Sequence, residues 1–115
     1  MRIDDIIAQA LHGLNVPYYF GMPEFAEDAV PGSLITYTYY ARPQLYGDGS
    51  EQLTRYYVTV SYFARTKIEV DGLAAEGNIC LLRAGFGRLN VSYTMDNDFP
   101  GFYRNIFEYV IDLDE

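Results

Sequence analysis

Histidine and cysteine, which most often form a base and nucleophile pair or bind transition metals, are scarce in this sequence. There is one histidine, His12, and one cysteine, Cys80. A catalytic cysteine needs its base within hydrogen-bond reach, but these two residues fall on separate predicted helices that cover the same sheet. The sequence therefore favours a solvated or capping role for His12 and a buried apolar role for Cys80, and it predicts no catalytic residue.

Two short segments imitate ligand-binding motifs. Asp96-Asn97-Asp98 resembles half of a calcium-binding loop, but the later acidic ligand of such a loop is missing. Gly47-Asp48-Gly49-Ser50 resembles a phosphate-binding loop, but no lysine follows it and no helix is predicted to begin there. Both segments are better explained as turns, and we expect neither a metal site nor a cofactor.

The chain is strongly acidic, with 16 acids against 8 bases and a formal net charge of -8. Binding to nucleic acid through phosphates requires clustered lysine and arginine, and the one local cluster is Arg65-Thr66-Lys67. The sequence therefore predicts no specific nucleic-acid binding. It also predicts no membrane span, because no apolar run is long enough, and no signal peptide, because acids come early, at Asp4 and Asp5.

Hydrophobic periodicity and turn residues divide the chain, as one domain over residues 1–115, into two helices and several strands. The predicted helices cover residues 3–14 and 68–84, and the predicted strands cover 16–20, 34–41, 52–65, 88–93 and 102–113. An acidic loop is predicted over 21–33 and an exposed turn over 44–51. The order of elements predicts an α+β fold: a mixed or mainly antiparallel sheet of about four to five strands with two helices packed on one face.

The second predicted helix has the weaker signal, because Gly72 and Gly77 each cost about 1 kcal/mol relative to alanine. Gly85 is predicted to end this helix, and Phe86 is predicted to turn back into the core.

Tyrosines follow the predicted strands in adjacent pairs, Tyr18-Tyr19, Tyr39-Tyr40 and Tyr56-Tyr57. Neighbouring residues of a strand point to opposite faces, so each pair places one ring on each face. The predicted core face carries Ile35, Tyr37, Tyr39, Tyr56, Val58, Val60, Tyr62 and Ala64. The opposite face carries Thr36, Thr38, Tyr40, Tyr57, Thr59, Ser61 and Phe63, and we expect it to be wet in the free chain and covered by another copy in an assembly.

Several segments, spread over nearly the whole chain, carry a family resemblance. They are Arg2-Ile3-Asp4-Asp5-Ile6-Ile7, Val16-Pro17-Tyr18-Tyr19-Phe20-Gly21, Ile35-Thr36-Tyr37, Arg42-Pro43-Gln44-Leu45-Tyr46, Thr54-Arg55-Tyr56-Tyr57-Val58, Ala84-Gly85-Phe86 and Gly101-Phe102-Tyr103. In these segments and in the order of its elements, the chain resembles the tail-terminator and tail-completion (minor tail) proteins of long-tailed bacteriophages and prophages.

This resemblance implies a structural virion protein and no enzyme. Such proteins form a ring, typically a hexamer, that caps the tail tube, ends its growth and joins the tail to the head connector. The implied partners are further copies of the chain, the tail tube protein and the head–tail connector protein, with no membrane and no cofactor. The implied locations are the host bacterial cytoplasm during assembly and then the virion tail. We expect the subunit or tube contacts to involve Tyr40, Tyr46, Asp48, Gly49, Tyr57 and Phe63.

Two other functions fit the sequence less well. One is a small-ligand-binding α+β domain or enzyme in which the tyrosine-rich sheet lines a pocket. The other is an acidic inhibitor that mimics DNA, but the acids fall mainly in predicted loops and at helix ends, where they serve solvation.

Overall fold

The computed structural model describes residues 2–25, 29–46, 51–95 and 101–114. Two helices and five strands follow one another as α1 (Ile3–His12), β1 (Tyr18–Phe20), β2 (Ser33–Tyr46), β3 (Glu51–Ala64), α2 (Lys67–Arg83), β4 (Gly87–Met95) and β5 (Tyr103–Asp114). The strands form one sheet in the order β1-β2-β3-β5-β4. Only β1 and β2 are parallel, and the other neighbours are antiparallel. The predicted α+β class and mixed sheet are confirmed.

Both helices pack on the same face of the sheet and enclose the main core. That core contains the predicted inward residues of β2 and β3 together with Ile3, Ile7 and Leu11 from α1, Val70, Leu73, Ala74 and Leu81 from α2, and Phe107, Tyr109 and Ile111 from β5. The strand alternation predicted from the sequence is therefore confirmed for this face. Ile6 of α1 is only partly buried and packs against this core from its margin.

Helix α2 begins and ends with specific backbone contacts. The Thr66 side chain accepts a hydrogen bond from the Glu69 N–H at the start of the helix. At its end, Gly85 has a φ of 106°, its N–H donates to the Leu82 carbonyl, and the Phe86 N–H donates to the Leu81 carbonyl. This is the Schellman pattern, which favours glycine at the left-handed position. It turns Phe86 into the core as predicted.

The two glycines of α2 have different surroundings. A Cβ added to Gly72 would meet nothing within 4 Å. A Cβ added to Gly77 would lie 2.7 Å from the Tyr62 hydroxyl oxygen and would also overlap the ring. Gly77 is therefore needed so that α2 can approach the fully buried Tyr62 of β3. The sequence identified its helical cost but gave no sign of this contact.

A short chain of buried polar groups connects α2 to the sheet at this point. Tyr109 of β5 donates to Asn78 Oδ1 at 3.0 Å. Its own oxygen lies 3.3 Å from the Tyr62 hydroxyl oxygen, so Tyr62 is the donor in that pair. Burial raises the pKa of Tyr109 to about 12 and raises the pKa of Tyr62 as well. At ordinary pH both tyrosines therefore remain protonated and hydrogen-bonded.

The β2–β3 hairpin is longer than the sequence predicted. The expected exposed turn over 44–51 is wrong at its two ends, because β2 continues to Tyr46 and β3 begins at Glu51. Residues 47–50 lie outside the described residues. Pro43 does not interrupt β2, because the nitrogen of this residue faces away from β3 and so no bond of that ladder requires an N–H there.

Replacing each α2 glycine with alanine tests the close approach. We expect Gly72→Ala to raise the free energy of unfolding by about 1 kcal/mol, because alanine has the higher helix propensity. Gly77→Ala should lower it by about 1–3 kcal/mol, because the new methyl group overlaps Tyr62. Urea unfolding of both variants measures the difference, and a stabilised Gly77→Ala protein would contradict the packing described here.

Alkaline titration tests the buried tyrosine chain. The folded pKa values are raised, so their contribution to stability is complete below the ordinary tyrosine pKa of about 10 and is lost as pH rises toward 12 and beyond. We expect some tyrosines to ionise only together with unfolding in this range. Tyrosinate absorbance and far-ultraviolet circular dichroism measure the two events, and complete ionisation of a still-folded protein near pH 10 would refute the prediction.

Candidate interaction surface

The face of the sheet opposite the helices, here called the free face, is built by the alternate residues of the same strands. Thr38 and Tyr40 of β2 lie on it beside Thr59 and Tyr57 of β3. Pairing with β5 adds Glu108 opposite Thr59. The free face therefore presents hydroxyl groups, aromatic rings and charged side chains, and neither α1 nor α2 packs on it.

One end of the free face is covered by the chain itself. Leu34, Phe63 and Phe102 form a second buried cluster, against which Tyr19, Phe25 and Val30 pack. Phe63 is 0% exposed, and Thr36 and Ser61 beside it are also buried. The expectation that this face is wet along its whole length is therefore wrong, and Phe63 is not available for contact with another copy. Tyr19 belongs to β1, whereas Phe25, Val30 and Phe102 lie outside the helices and strands, where no periodicity predicts how the chain folds.

Two arginines border this second cluster. The Arg65 guanidinium carbon lies 4.3 Å from the centre of the Phe102 ring, and that of Arg104 lies 5.2 Å from the centre of the Phe63 ring. Arg104 also donates to the Ser61 hydroxyl through Nε and Nη2, at 3.1 and 3.0 Å. Arg65 and Arg104 thus pack against the rings at the covered end of the free face.

The other end of the free face is open and carries a ring pair. Tyr40 and Tyr57 are direct partners across β2 and β3, and their rings stack with centres 5.0 Å apart and planes 18° from parallel. Tyr40 is 57% exposed. The Arg42 guanidinium carbon lies 5.7 Å from the centre of the Tyr40 ring. Exposed tyrosine and arginine in contact are the composition that protein interfaces favour.

An ion pair stands next to these rings. Arg55 Nε and Nη2 donate to the two carboxylate oxygens of Asp112 at 2.7 and 3.0 Å. These hydrogen bonds lower the pKa of Asp112. The pair therefore contributes stability above the ordinary aspartate pKa and loses that contribution as pH falls through the lowered value. About a third of each side chain is exposed, so this contribution is small. Its main effect is to neutralise two charges on the free face.

Three cavities in the described part of the chain bear on the pocket hypothesis. A groove of about 480 Å³ lies between α2 and the β4–β5 edge, and another of about 480 Å³ lies between the two helices. A smaller one of about 190 Å³ lies on the free face among hydroxyls and Arg104. None of these three has a tyrosine in its described wall, so the tyrosine-lined pocket gains no support.

Three polar side chains of the first groove bind one another. Asp71 accepts from Asn105 Nδ2 at 2.9 Å and from Lys67 Nζ at 3.0 Å. These bonds lower the pKa of Asp71, with the bond from Asn105 the largest cause. These three side chains are therefore already bound to one another within the chain.

The sequence-predicted residues are only partly brought together. Tyr40 and Tyr57 meet on the free face, whereas Phe63 is internal. Tyr46 ends β2, and Asp48 and Gly49 lie outside the described residues. His12 is exposed at the end of α1, and Cys80 is only partly buried in α2. The Arg55–Asp112 pair was missed, because the register that places the two side chains together cannot be obtained from either strand alone.

The described residues also bear on metal ligands and on membrane-crossing helices. Among the described residues, no three histidine, cysteine, aspartate or glutamate side chains come together as metal ligands would. Neither α1 nor α2 has the length and apolar character of a membrane-crossing helix.

Comparison with known proteins gives a match at the level of fold. No family model matches the sequence, and no curated protein sequence matches it. Among solved structures, the chain is similar to one from the virion of a native gene transfer agent particle, with a TM-score of 0.66 and 12% sequence identity. The match covers 100% of this chain and 89% of the other. The two chains therefore share a fold along the whole length described.

Alanine substitutions distinguish the two kinds of ring on the free face. We expect Phe63→Ala to lower the free energy of unfolding by about 3–5 kcal/mol, because it empties a buried site. Tyr40→Ala should cost at most about 1.5 kcal/mol, the contribution of one exposed stacked pair. Urea unfolding measures both, and equal losses would mean that Tyr40 belongs to the core of the free chain.

Proposed function

We propose that the chain is a structural protein of a phage-like virion that forms a hexameric ring on the end of the tail tube. The ring ends tube growth and presents a surface to the head–tail connector protein. The observation that carries this proposal is the fold match over the whole chain to a chain of a gene transfer agent virion. The sequence segments that resemble tail terminators point to the same role, independently of the fold.

The open end of the free face supplies the contact chemistry. Tyr40, Tyr57 and Arg42 can cover apolar area and still donate hydrogen bonds, which suits a surface that is wet before assembly and buried after it. The neutralised Arg55–Asp112 pair can be brought near a neighbour without leaving an unpaired charge. No step of this function needs a cofactor or a catalytic residue.

Charge sets the conditions for assembly. Copies that each carry a net charge of -8 repel one another, and at physiological salt this repulsion is screened beyond about 8 Å. Ring formation should therefore increase with protein concentration and with moderate salt. In the host cytoplasm, the proposed site of assembly, the free subunit would remain dispersed until it meets a tube end.

Addition of the purified protein to growing tail tubes of the same phage or prophage tests the function. We expect tubes that stop growing and carry a ring at one end in electron micrographs. The double variant Tyr40→Ala/Tyr57→Ala should cap fewer ends at equal concentration, because it removes the exposed ring pair.

His12→Ala serves as the matched control for this experiment, because His12 is exposed at the end of α1, away from the free face. It should cap tubes as well as the unchanged protein. Tubes that grow past bound protein, or that never bind it, would refute the proposed function.

A further inference from the structure

One edge of the sheet is only partly covered within the chain. β1 pairs with β2 only at Ile35 to Tyr37. The Ile35 N–H donates to the Pro17 carbonyl, and the Gly21 N–H donates to the Tyr37 carbonyl. The backbone groups of odd-numbered residues of β2 therefore point to this edge. Further along β2, no described strand lies beside the edge, so the N–H and C=O of Ala41 face outward, and Pro43 faces outward without an N–H.

The opposite edge of the sheet is formed by β4. In an antiparallel pair, the backbone N–H and C=O groups of successive residues point alternately toward one neighbouring strand and the other. The registers of β2 with β3, β3 with β5 and β5 with β4 therefore direct the backbone groups of Val91, Tyr93 and Met95 away from β5, toward the outside of the sheet. The Val91 N–H is already bound, because the side-chain oxygen of Asn90 accepts from it at 2.9 Å. A register shift between Arg88 and Asn90 disturbs the strand just before this point. Val91 is therefore where the regular edge of β4 stops.

We infer that a second copy of the chain occupies the β2 edge, through its β4 edge, in an antiparallel pairing that places Ala41 opposite Tyr93. This inference rests on the ring proposed above and names its subunit junction. In this register Pro43 faces Val91. Proline has no N–H to give to the Val91 carbonyl, and the Val91 N–H is already satisfied by Asn90. The backbone pairing between the two copies therefore ends at Pro43 and Val91. No N–H at this pair is left without a hydrogen bond when the junction is buried.

The directions of the strands agree with this junction. Successive antiparallel pairings make β4 run opposite to β2 within one chain. All copies of a cyclic ring have the same orientation about its axis, so β4 of one copy also runs antiparallel to β2 of the next. The two edges are unlike each other, and joining unlike edges head to tail is what closes a ring.

The required displacement between copies also agrees with a closed ring. Within one chain, Val91 pairs with Phe107, Phe107 pairs with Val60, and Val60 pairs with Tyr37, so that Val91 and Tyr37 lie on one line across the sheet. The junction moves Val91 along β2 from Tyr37 to Pro43, a step of about 20 Å at a rise of about 3.3 Å per residue. A shorter step would bring β4 against β1, which already occupies Tyr37.

This displacement can be compared with the width of one copy. Because β1 and the neighbour's β4 lie in line beside β2, each copy adds four strands to the circumference, a width of about 19 Å. The ratio of the displacement along the strands, about 20 Å, to this width gives the tilt of the strands relative to the ring axis, which is about 45°. Strands of closed barrels adopt a tilt of roughly 35–45°, so the value lies at the upper end of that range. The displacement that avoids β1 is therefore compatible with the strand tilt of closed barrels.

Disulfide trapping tests the register. In the proposed pairing Arg42 faces Ser92 as a non-hydrogen-bonded pair, for which the Cα atoms lie about 4.5 Å apart, within the range of a disulfide. Both residues are exposed in the single chain. In a Cys80→Ser background, we expect Arg42→Cys/Ser92→Cys to form, on oxidation in the presence of tail tubes, covalent multimers up to the hexamer. A Gln44→Cys/Ser92→Cys control, two residues out of register, should remain largely uncrosslinked.

Single variants identify which edges meet. An equal mixture of Arg42→Cys and Ser92→Cys proteins should give only dimers of unlike chains. Disulfides between two Arg42→Cys chains would instead indicate a two-fold β2–β2 contact and overturn the inference. Tubes capped without any Arg42–Ser92 crosslink would overturn the junction and leave the proposed function standing. Crosslinked rings would support the junction whether or not they cap tubes, because Arg42→Cys also removes a side chain from the open end of the free face. Capping by the unchanged protein tests the proposed function separately.

A variant without cysteines gives a second test. Ala41→Pro removes an N–H that faces the edge and not β3, so we expect the free energy of unfolding to stay within about 1 kcal/mol of its original value, as the proline already present at position 43 indicates. The number of capped tubes at equal concentration should fall at least tenfold. Unchanged capping by a folded Ala41→Pro protein would overturn the junction.

Discussion

The close approach of α2 to β3 at Gly77 and Tyr62 determines much of this structure. Because a glycine stands there, the helix lies near enough for Asn78 to accept from Tyr109, and for Tyr62 to donate to Tyr109 in turn. About two turns earlier along the helix, Asp71 accepts from Asn105 of β5. These contacts hold the helix over β3 and β5, in a sheet whose outer strands are β1 and β4. The position of α2 over the sheet therefore depends on one missing side chain, at Gly77.

The parts of the fold that depend on local alternation could be predicted from the sequence. The Tyr39-Tyr40 and Tyr56-Tyr57 pairs do divide between the core and the free face, and Gly85 does end α2. Strand ends were less predictable. The strand predicted over 34–41 ends before Pro43, whereas β2 continues to Tyr46, because a proline is tolerated wherever the N–H would point away from the neighbouring strand. That direction depends on the pairing of β1 with β2, which the sequence of β2 does not contain.

The surface was the hardest part to predict, because it depends on where loops return. Phe63 alternates with the core residues just as Tyr57 does, and pattern alone treats the two residues alike. Only the folding of Phe102 and Phe25 over one end of the sheet makes Phe63 internal. The reverse holds for Arg55 and Asp112, which look like separate surface charges in the sequence and become a bidentate pair once β3 and β5 are in register.

The hydrogen bond between Asn90 and the Val91 N–H has a kinetic consequence in the ring that we propose. Together with Pro43, it keeps each junction short, and a short junction on its own is weak. An open chain of two or three copies then loses its end members faster than it grows, whereas in a closed ring each copy is held on two sides. Assembly of this kind shows a lag and a threshold concentration, and a tube end that already holds several copies side by side shortens the lag. The edges that make the ring possible thus also prevent it from forming too early.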